Sequence, residues 1–126
     1  SLKHDISVPL SRVAELIERA TALVQAAVPG VRVCAFGHIG DGNIHFNLSQ
    51  PVGASKASFL AVRDRLARLV HDLALSMNGS FSAEHGIGQL KREELVRYRS
   101  PVELELMRAI KHALDPKGLC NPGKVL

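Results

Sequence analysis

The sequence predicts an α+β fold of the ferredoxin-like type, a β-α-β-β-α-β antiparallel sheet with its helices on one face. Four short stretches are β-branched or alternate between apolar and polar residues, as half-buried strands do. Helical apolar stripes separate the first stretch from the second and the third from the fourth. A Gly-Asp-Gly turn signal lies between the two middle stretches. The predicted strands are residues 4–8, 31–36, 43–49 and 80–83.

Two helices are predicted within this strand order. The first covers residues 11–28 and ends at Pro29-Gly30, and the second covers about 55–77 and ends at Asn78-Gly79. Proline and glycine cannot easily continue a helix, so each of these pairs marks the end of the helix before it. A third helix spans roughly 89–98.

A fourth helix follows, and the segment Ser100-Pro101-Val102-Glu103 indicates where it begins. Serine there can cap the first turn, proline occupies it and glutamate returns the capping bond. The helix ends before Asp115-Pro116. The tail 117–126 contains two glycines and one proline, so we expect it to be irregular.

Length and composition predict a single globular domain over residues 1–126. A net charge of +4 suits an anionic small molecule, while one tyrosine, four phenylalanines and no tryptophan leave few side chains to stack on nucleic-acid bases. No run of about 18 apolar residues is present, so no membrane span is expected. Cys34 and Cys120 are too few for a disulfide framework and are expected to be reduced thiols.

The turn at Asp41-Gly42 predicts which residues share a sheet face. With a two-residue turn His38 lies opposite His45, with Cβ atoms about 4.5–5.5 Å apart, and Asn47 shares their face. Two histidines so placed can bind a metal, form a hydrogen-bonded structural pair, or simply face solvent. The opposite face is apolar and is predicted to pack under the helices; its members are Val33, Ala35, Ile39, Ile44, Phe46 and Leu48.

A second polar segment follows the fourth predicted strand. Glu84 is a candidate third ligand, because two histidines and one glutamate form a familiar catalytic zinc set. His85 would face the other way in a regular strand, but Gly86 and Gly88 permit unusual backbone angles. An ordinary acidic residue at a strand end is the alternative interpretation of Glu84.

Three motifs are spaced along the chain. They are Gly37-His38-x-Gly40-Asp41-Gly42-Asn43-x-His45, Ser82-x-Glu84-His85-Gly86-x-Gly88, and Asp115-Pro116-x-Gly118 with Asn121-Pro122-Gly123-Lys124. In this order they resemble the C-terminal domain of FAD-linked oxidases of the vanillyl-alcohol oxidase superfamily. The resemblance runs along nearly the whole chain, and the branch it resembles includes D-lactate dehydrogenase, D-2-hydroxyglutarate dehydrogenase and the glycolate oxidase FAD subunit.

The resemblance implies a role for each site residue. The metal ligands would be His38, His45 and Glu84, holding a divalent cation for which zinc is expected and manganese or iron are alternatives. By the same resemblance His85 is the acid/base residue, and Asn47 and Lys3 contact the substrate.

The resemblance also implies a parent enzyme. FAD would be held mainly by a separate domain that is missing from this chain, and the substrate would be a small 2-hydroxy acid. The chain alone would then be inactive. We expect a cytoplasmic location, with peripheral attachment to the inner membrane through the parent enzyme as an alternative. A stand-alone ferredoxin-like module that binds a metal or small acid, and a purely structural oligomerisation domain, are the competing hypotheses.

Overall fold

The computed structural model describes residues Ser1–Leu126 and contains three β-strands and five α-helices. The strands are β1 (Asp5–Ser7), β2 (Arg32–His38) and β3 (Asn43–Ser49). The helices are α1 (Val13–Ala27), α2 (Lys56–Ala61), α3 (Arg63–Ser76), α4 (Arg92–Tyr98) and α5 (Pro101–Leu114). The chain divides into two compact units, Ser1–His85 and Gly86–Leu126. The prediction of one domain over 1–126 stays a prediction.

The predicted α+β class is confirmed, with a sheet in the antiparallel order β1-β3-β2. The predicted fourth strand at 80–83 is reduced to one isolated bridge, between Ser7 and Ser80. It lies beside β1, the edge at which a ferredoxin-like sheet carries its fourth strand. Local bonds compete with the ladder there, because the Ser80 hydroxyl donates to the Ser82 carbonyl and accepts from the Ser82 N–H.

The helices α1 and α3 pack on one face of this sheet. Their apolar stripes meet Ile44, Phe46 and Leu48 of β3 in a core whose central side chains are fully buried. The opposite sheet face is left open to polar side chains. Burial of one face and exposure of the other follow from the alternation of side chains along each strand.

The predicted helix at 55–77 is two helices rather than one. The α-helical ladder is interrupted at Val62, whose φ and ψ are −99° and 5° and whose N–H bonds to the Phe59 carbonyl three residues back. Ser55 caps α2 by accepting the Ser58 N–H. None of the five helices combines the length and the apolar character that crossing a bilayer requires.

The connection between β2 and β3 differs from the predicted two-residue turn. Residues 39–42 form it, and the register places His38 opposite Asn43 and Phe36 opposite His45. Val8 donates its N–H to the Gly42 carbonyl, and a Cβ on Gly42 would lie only 2.1 Å from the Val8 carbonyl oxygen. This long-range contact, with φ of +67° at Gly42, accompanies the four-residue turn.

The prediction that His38 directly opposes His45 was therefore wrong, and Ile39 is not a core residue. Ile39 lies in the turn and is 69% exposed. The observed register differs from the predicted one by two residues, an even number. Side chains alternate with a period of two, so His38, His45 and Asn47 still share a face.

The unit Gly86–Leu126 contains several local hydrogen bonds and one distant backbone bond, from the Val125 N–H to the Gly88 carbonyl. The capping box predicted at Ser100 is present, with Ser100 Oγ accepting the Glu103 N–H and Glu103 Oε2 accepting the Ser100 N–H. After α5, the Asp115 carboxylate accepts the N–H groups of Leu119 and Cys120 at 2.9 Å each. The Lys111 ammonium also bonds to it, and together these donors lower the pKa of Asp115 to about 2.

Candidate functional site

The open sheet face carries three rows of side chains. The pairings Asp5–His45 and Leu2–Leu48 set one continuous register, which puts Lys3 opposite Asn47. Side chains directly opposed across an antiparallel pair lie on the same face. The rows are Lys3, Asn47 and Cys34; Asp5, His45 and Phe36; and Ser7, Asn43 and His38.

Glu84 joins two of these rows through one carboxylate oxygen. Its Oε1 lies 3.0 Å from His45 Nε2 and 3.4 Å from His38 Nε2. Asn43 shares this face but is buried, and its side-chain amide donates to the same oxygen at 2.5 Å. The imidazole rings of His38 and His45 meet edge to face, with centroids 5.6 Å apart. The structure thus brings the three predicted metal ligands together around Glu84 Oε1.

His85 stands on the other side of His45. The two rings stack with centroids 5.6 Å apart, and the chain bends at residues 83–85 instead of continuing as a strand. That bend is why two adjacent residues, Glu84 and His85, reach the same cluster. The His85 side chain is 64% exposed, against 17% for His45, so it is the ring most open to an incoming molecule.

Asp5 is a member of the cluster that the sequence analysis missed. It is 4% exposed, and its Oδ2 accepts the backbone N–H of Glu84 at 2.9 Å and of His85 at 2.8 Å. The same oxygen lies 3.6 Å from His85 Nδ1, and Oδ1 lies 3.8 Å from His45 Nδ1. A carboxylate within a predicted strand was the available signal, because such a residue is rarely buried without partners.

The cluster fits a divalent cation by the chemistry of its donors. One ligand atom each from Asp5, His45, Glu84 and His85 lies within 4.8 Å of all the others. Imidazole nitrogens with carboxylate oxygens suit Zn²⁺, Mn²⁺ and Fe²⁺. This group shares His45 and Glu84 with the predicted ligand set but contains Asp5 and His85 in place of His38. The identity of the ligands therefore stays a prediction.

Lys3 and Asn47, the predicted substrate contacts, lie in the row adjoining that of His45. Lys3 is exposed and Asn47 is half-buried. A cationic and an amide side chain beside the cluster give this end of the face the groups that bind a carboxylate and a hydroxyl.

The remaining histidines and both cysteines have positions outside the cluster. His4 and His71 are buried and meet edge to face at 5.8 Å, and His4 Nδ1 lies 2.8 Å from the Phe46 carbonyl oxygen. Their burial, away from the open face, indicates a structural role. Cys34 and Cys120 are free thiols, and both are exposed.

Comparison with known proteins gives one family. The sequence matches FAD linked oxidases, C-terminal domain, over residues 1–125. A D-2-hydroxyglutarate dehydrogenase of Xanthomonas citri pv. viticola is 45% identical over 123 residues, which cover 98% of this chain and 26% of that protein. A second, from Stutzerimonas stutzeri, is 41% identical over 123 residues with the same coverage.

A D-lactate dehydrogenase of Archaeoglobus fulgidus is also similar, at 38% identity over 122 residues, 97% of this chain and 26% of that protein. The chain thus spans about a quarter of the length of these relatives. The family match covers almost the whole chain, and the motifs on which the resemblance depended lie within it. The chain belongs to the family of FAD-linked oxidase C-terminal domains.

Proposed function

We propose that this chain is the metal- and substrate-binding domain, over residues 1–126, of an FAD-dependent 2-hydroxy-acid dehydrogenase. The parent reaction is oxidation of a D-2-hydroxy acid to a 2-oxo acid. The observation that carries this proposal is the convergence of His38 and His45 on Glu84 Oε1, on the open face of the sheet. The relatives named D-2-hydroxyglutarate and D-lactate dehydrogenases support the substrate class.

In this proposal His38, His45 and Glu84 would hold a divalent cation, with zinc the first candidate. Such a cation would supply Lewis acidity that lowers the pKa of the substrate hydroxyl. The protein residues position the ligand around it. Asn47 hydrogen-bonds the substrate and the Lys3 ammonium offsets its carboxylate charge, and both belong to the row next to His45.

His85 is the proposed base for the hydroxyl proton. Asp5 Oδ2 lies beside its Nδ1, so Nε2 is the nitrogen that takes the proton. An imidazole is the side chain most often used for proton transfer in enzymes. Its exposure leaves room for a substrate to approach.

FAD would be held mainly by the part of the parent protein outside this chain and would supply the redox chemistry. The partners of the chain are then the small 2-hydroxy acid and the FAD domain. A stand-alone binding module is less well supported, because the relatives are about four times as long as this chain. We propose a cytoplasmic location, although the name of a relative from Bos taurus includes the word mitochondrial, and cell fractionation of the source organism tests the compartment.

The direct test is metal binding by the chain purified without a histidine tag. Calorimetry with Zn²⁺ is expected to show one site that a His38→Ala/His45→Ala double variant abolishes. His112→Ala is the matched control, since His112 is an exposed residue of α5 outside the cluster. Zinc affinity equal to wild type in the double variant would refute the ligand assignment.

A further inference from the structure

The second unit, Gly86–Leu126, keeps few of its large apolar side chains out of solvent. Only Leu95 and Leu104 are buried, whereas seven valine, leucine and isoleucine side chains of this unit are exposed. Single exposed apolar residues are ordinary on protein surfaces, but a contiguous patch of them marks a binding surface. Their arrangement along the chain therefore decides what they indicate.

Four of the seven form one stripe along α5. They are Val102, Leu106, Ile110 and Leu114, and each is at least 60% exposed. Residues four positions apart lie on one side of a helix, so the stripe runs about 18 Å along α5. The exposed Ala109 and Ala113 fall between them on the same side. We name these six residues the α5 stripe.

The other side of α5 is the one that is packed. Leu104 is buried, and Met107 and Lys111 on the following turns are half-buried. Helix α3 shows how a comparable stripe behaves when it has a partner, since its Leu66 and Val70 are fully buried in the core of the first unit. The α5 stripe is thus an amphipathic helix face of the kind that packs elsewhere in this molecule.

The size of the α5 stripe indicates which occupant can cover it. A stripe about 18 Å long on a helix about 10 Å wide offers on the order of 200 Å². A stable complex of two separate proteins buries about 800 Å² on each partner, so pairing with a second copy of α5 falls far short. A domain joined to α5 in the same chain needs less area, because the covalent link raises its effective concentration.

The lengths of the relatives indicate that such a domain is available. This chain covers 26% of each of the two D-2-hydroxyglutarate dehydrogenases, so about three quarters of their length lies outside the matched region. We propose that the α5 stripe is the surface on which the FAD domain of the parent protein docks. The proposal rests on the proposed function, which supplies that domain. The docking site on the FAD domain is an apolar groove, because the stripe consists of aliphatic side chains and alanines.

Hydroxyl-radical footprinting read by mass spectrometry tests the proposal, because it measures the solvent exposure of individual side chains. It is applied to the 126-residue chain and to the full-length parent protein. Leu106 and Ile110 are expected to oxidise rapidly in the chain and as slowly as the buried Leu104 in the parent protein. Leu60 is the matched reference, since it is a 45% exposed leucine of α2 in the first unit, and its rate should not change.

The double variant Leu106→Gln/Ile110→Gln tests the α5 stripe from the other direction. Both positions are exposed in the isolated chain, so its thermal midpoint should change by no more than a few degrees. In the parent protein the two amides would face an apolar groove without hydrogen-bond partners, and the stripe should detach. Val102 and Leu114 should then oxidise as fast as in the isolated chain. Leu60→Gln is the control and should leave their oxidation at the wild-type rate.

Oxidation of the α5 stripe at the same rate in the chain and the parent protein overturns the proposal. So does a stripe that is already protected in the isolated chain. Protection that rises with protein concentration identifies a second copy as the occupant, and protection at every concentration identifies other residues of the chain. If the double variant does not fold, the wild-type comparison decides. Failure of the proposed function is measured separately, since the chain would then bind no zinc whatever the exposure of the stripe.

Discussion

The two compact units of the chain are stabilised in different ways. In Ser1–His85, strands and helices distant in sequence share one apolar core, and the site lies on the other face of the same sheet. In Gly86–Leu126 the only buried apolar residues are Leu95 and Leu104, and the order comes from a capping box and from bonds to Asp115. The site therefore depends on long-range packing. The second unit depends mostly on local bonds, with one distant backbone bond from the Val125 N–H to the Gly88 carbonyl.

The largest expected effect is that of Phe46→Ala in the first unit. Phe46 is fully buried at the centre of the core, so its truncation should lower the free energy of unfolding by about 3–5 kcal/mol. Urea denaturation followed by circular dichroism measures this change. Phe36→Ala removes the same side chain from a 55% exposed position and should cost less than about 1 kcal/mol. Equal losses in the two variants would contradict the core assignment.

A smaller effect is expected from Ser100→Ala in the second unit. Loss of an N-cap costs about 1 kcal/mol, and with few buried apolar residues nearby the loss should open much of α5. Hydrogen exchange of α5 amides measures it. Ser55→Ala removes the cap of α2, where Phe59 is anchored in the core, and should free only the first turn. If exchange spreads equally far in both helices, α5 does not depend on its cap more than α2 does, and the proposed difference between the units is wrong.

The smallest expected effect is a loss of local order at acid pH. The pKa of Asp115 lies at about 2, below its ordinary 3.8, so the ionised carboxylate stabilises the turn above about pH 4. That contribution disappears as the pH falls toward 2. The amide signals of Leu119 and Cys120 should titrate near pH 2, and Asp115→Asn should remove the transition. A midpoint at the ordinary value would show that the turn does not hold the carboxylate.

Features set by neighbouring residues were predictable from the sequence. The capping box at Ser100 and the ends of β3 agree with the prediction, because capping and strand alternation depend on residues a few positions apart. The face shared by His38 and His45 was also predicted correctly, since an even change of register preserves it.

Features set by distant residues were not predictable. The turn length depends on the contact of Gly42 with Val8, and the sequence of the turn alone favoured two residues. The role of Asp5 depends on N–H groups 79 and 80 positions later. No local pattern reports such a partner, so Asp5 was missed although Glu84 and His85 were found.

The bonds from Asp5 to Glu84 and His85 also have a consequence for the order of folding. They join β1, the first strand, to the last two residues of the first unit. A ribosome releases the helices and strands of the core before it releases residue 85, so the core elements can assemble before the cluster can close. The cluster then forms only when the first unit has finished folding. Chains whose synthesis stops before residue 85 should therefore not bind zinc at this site.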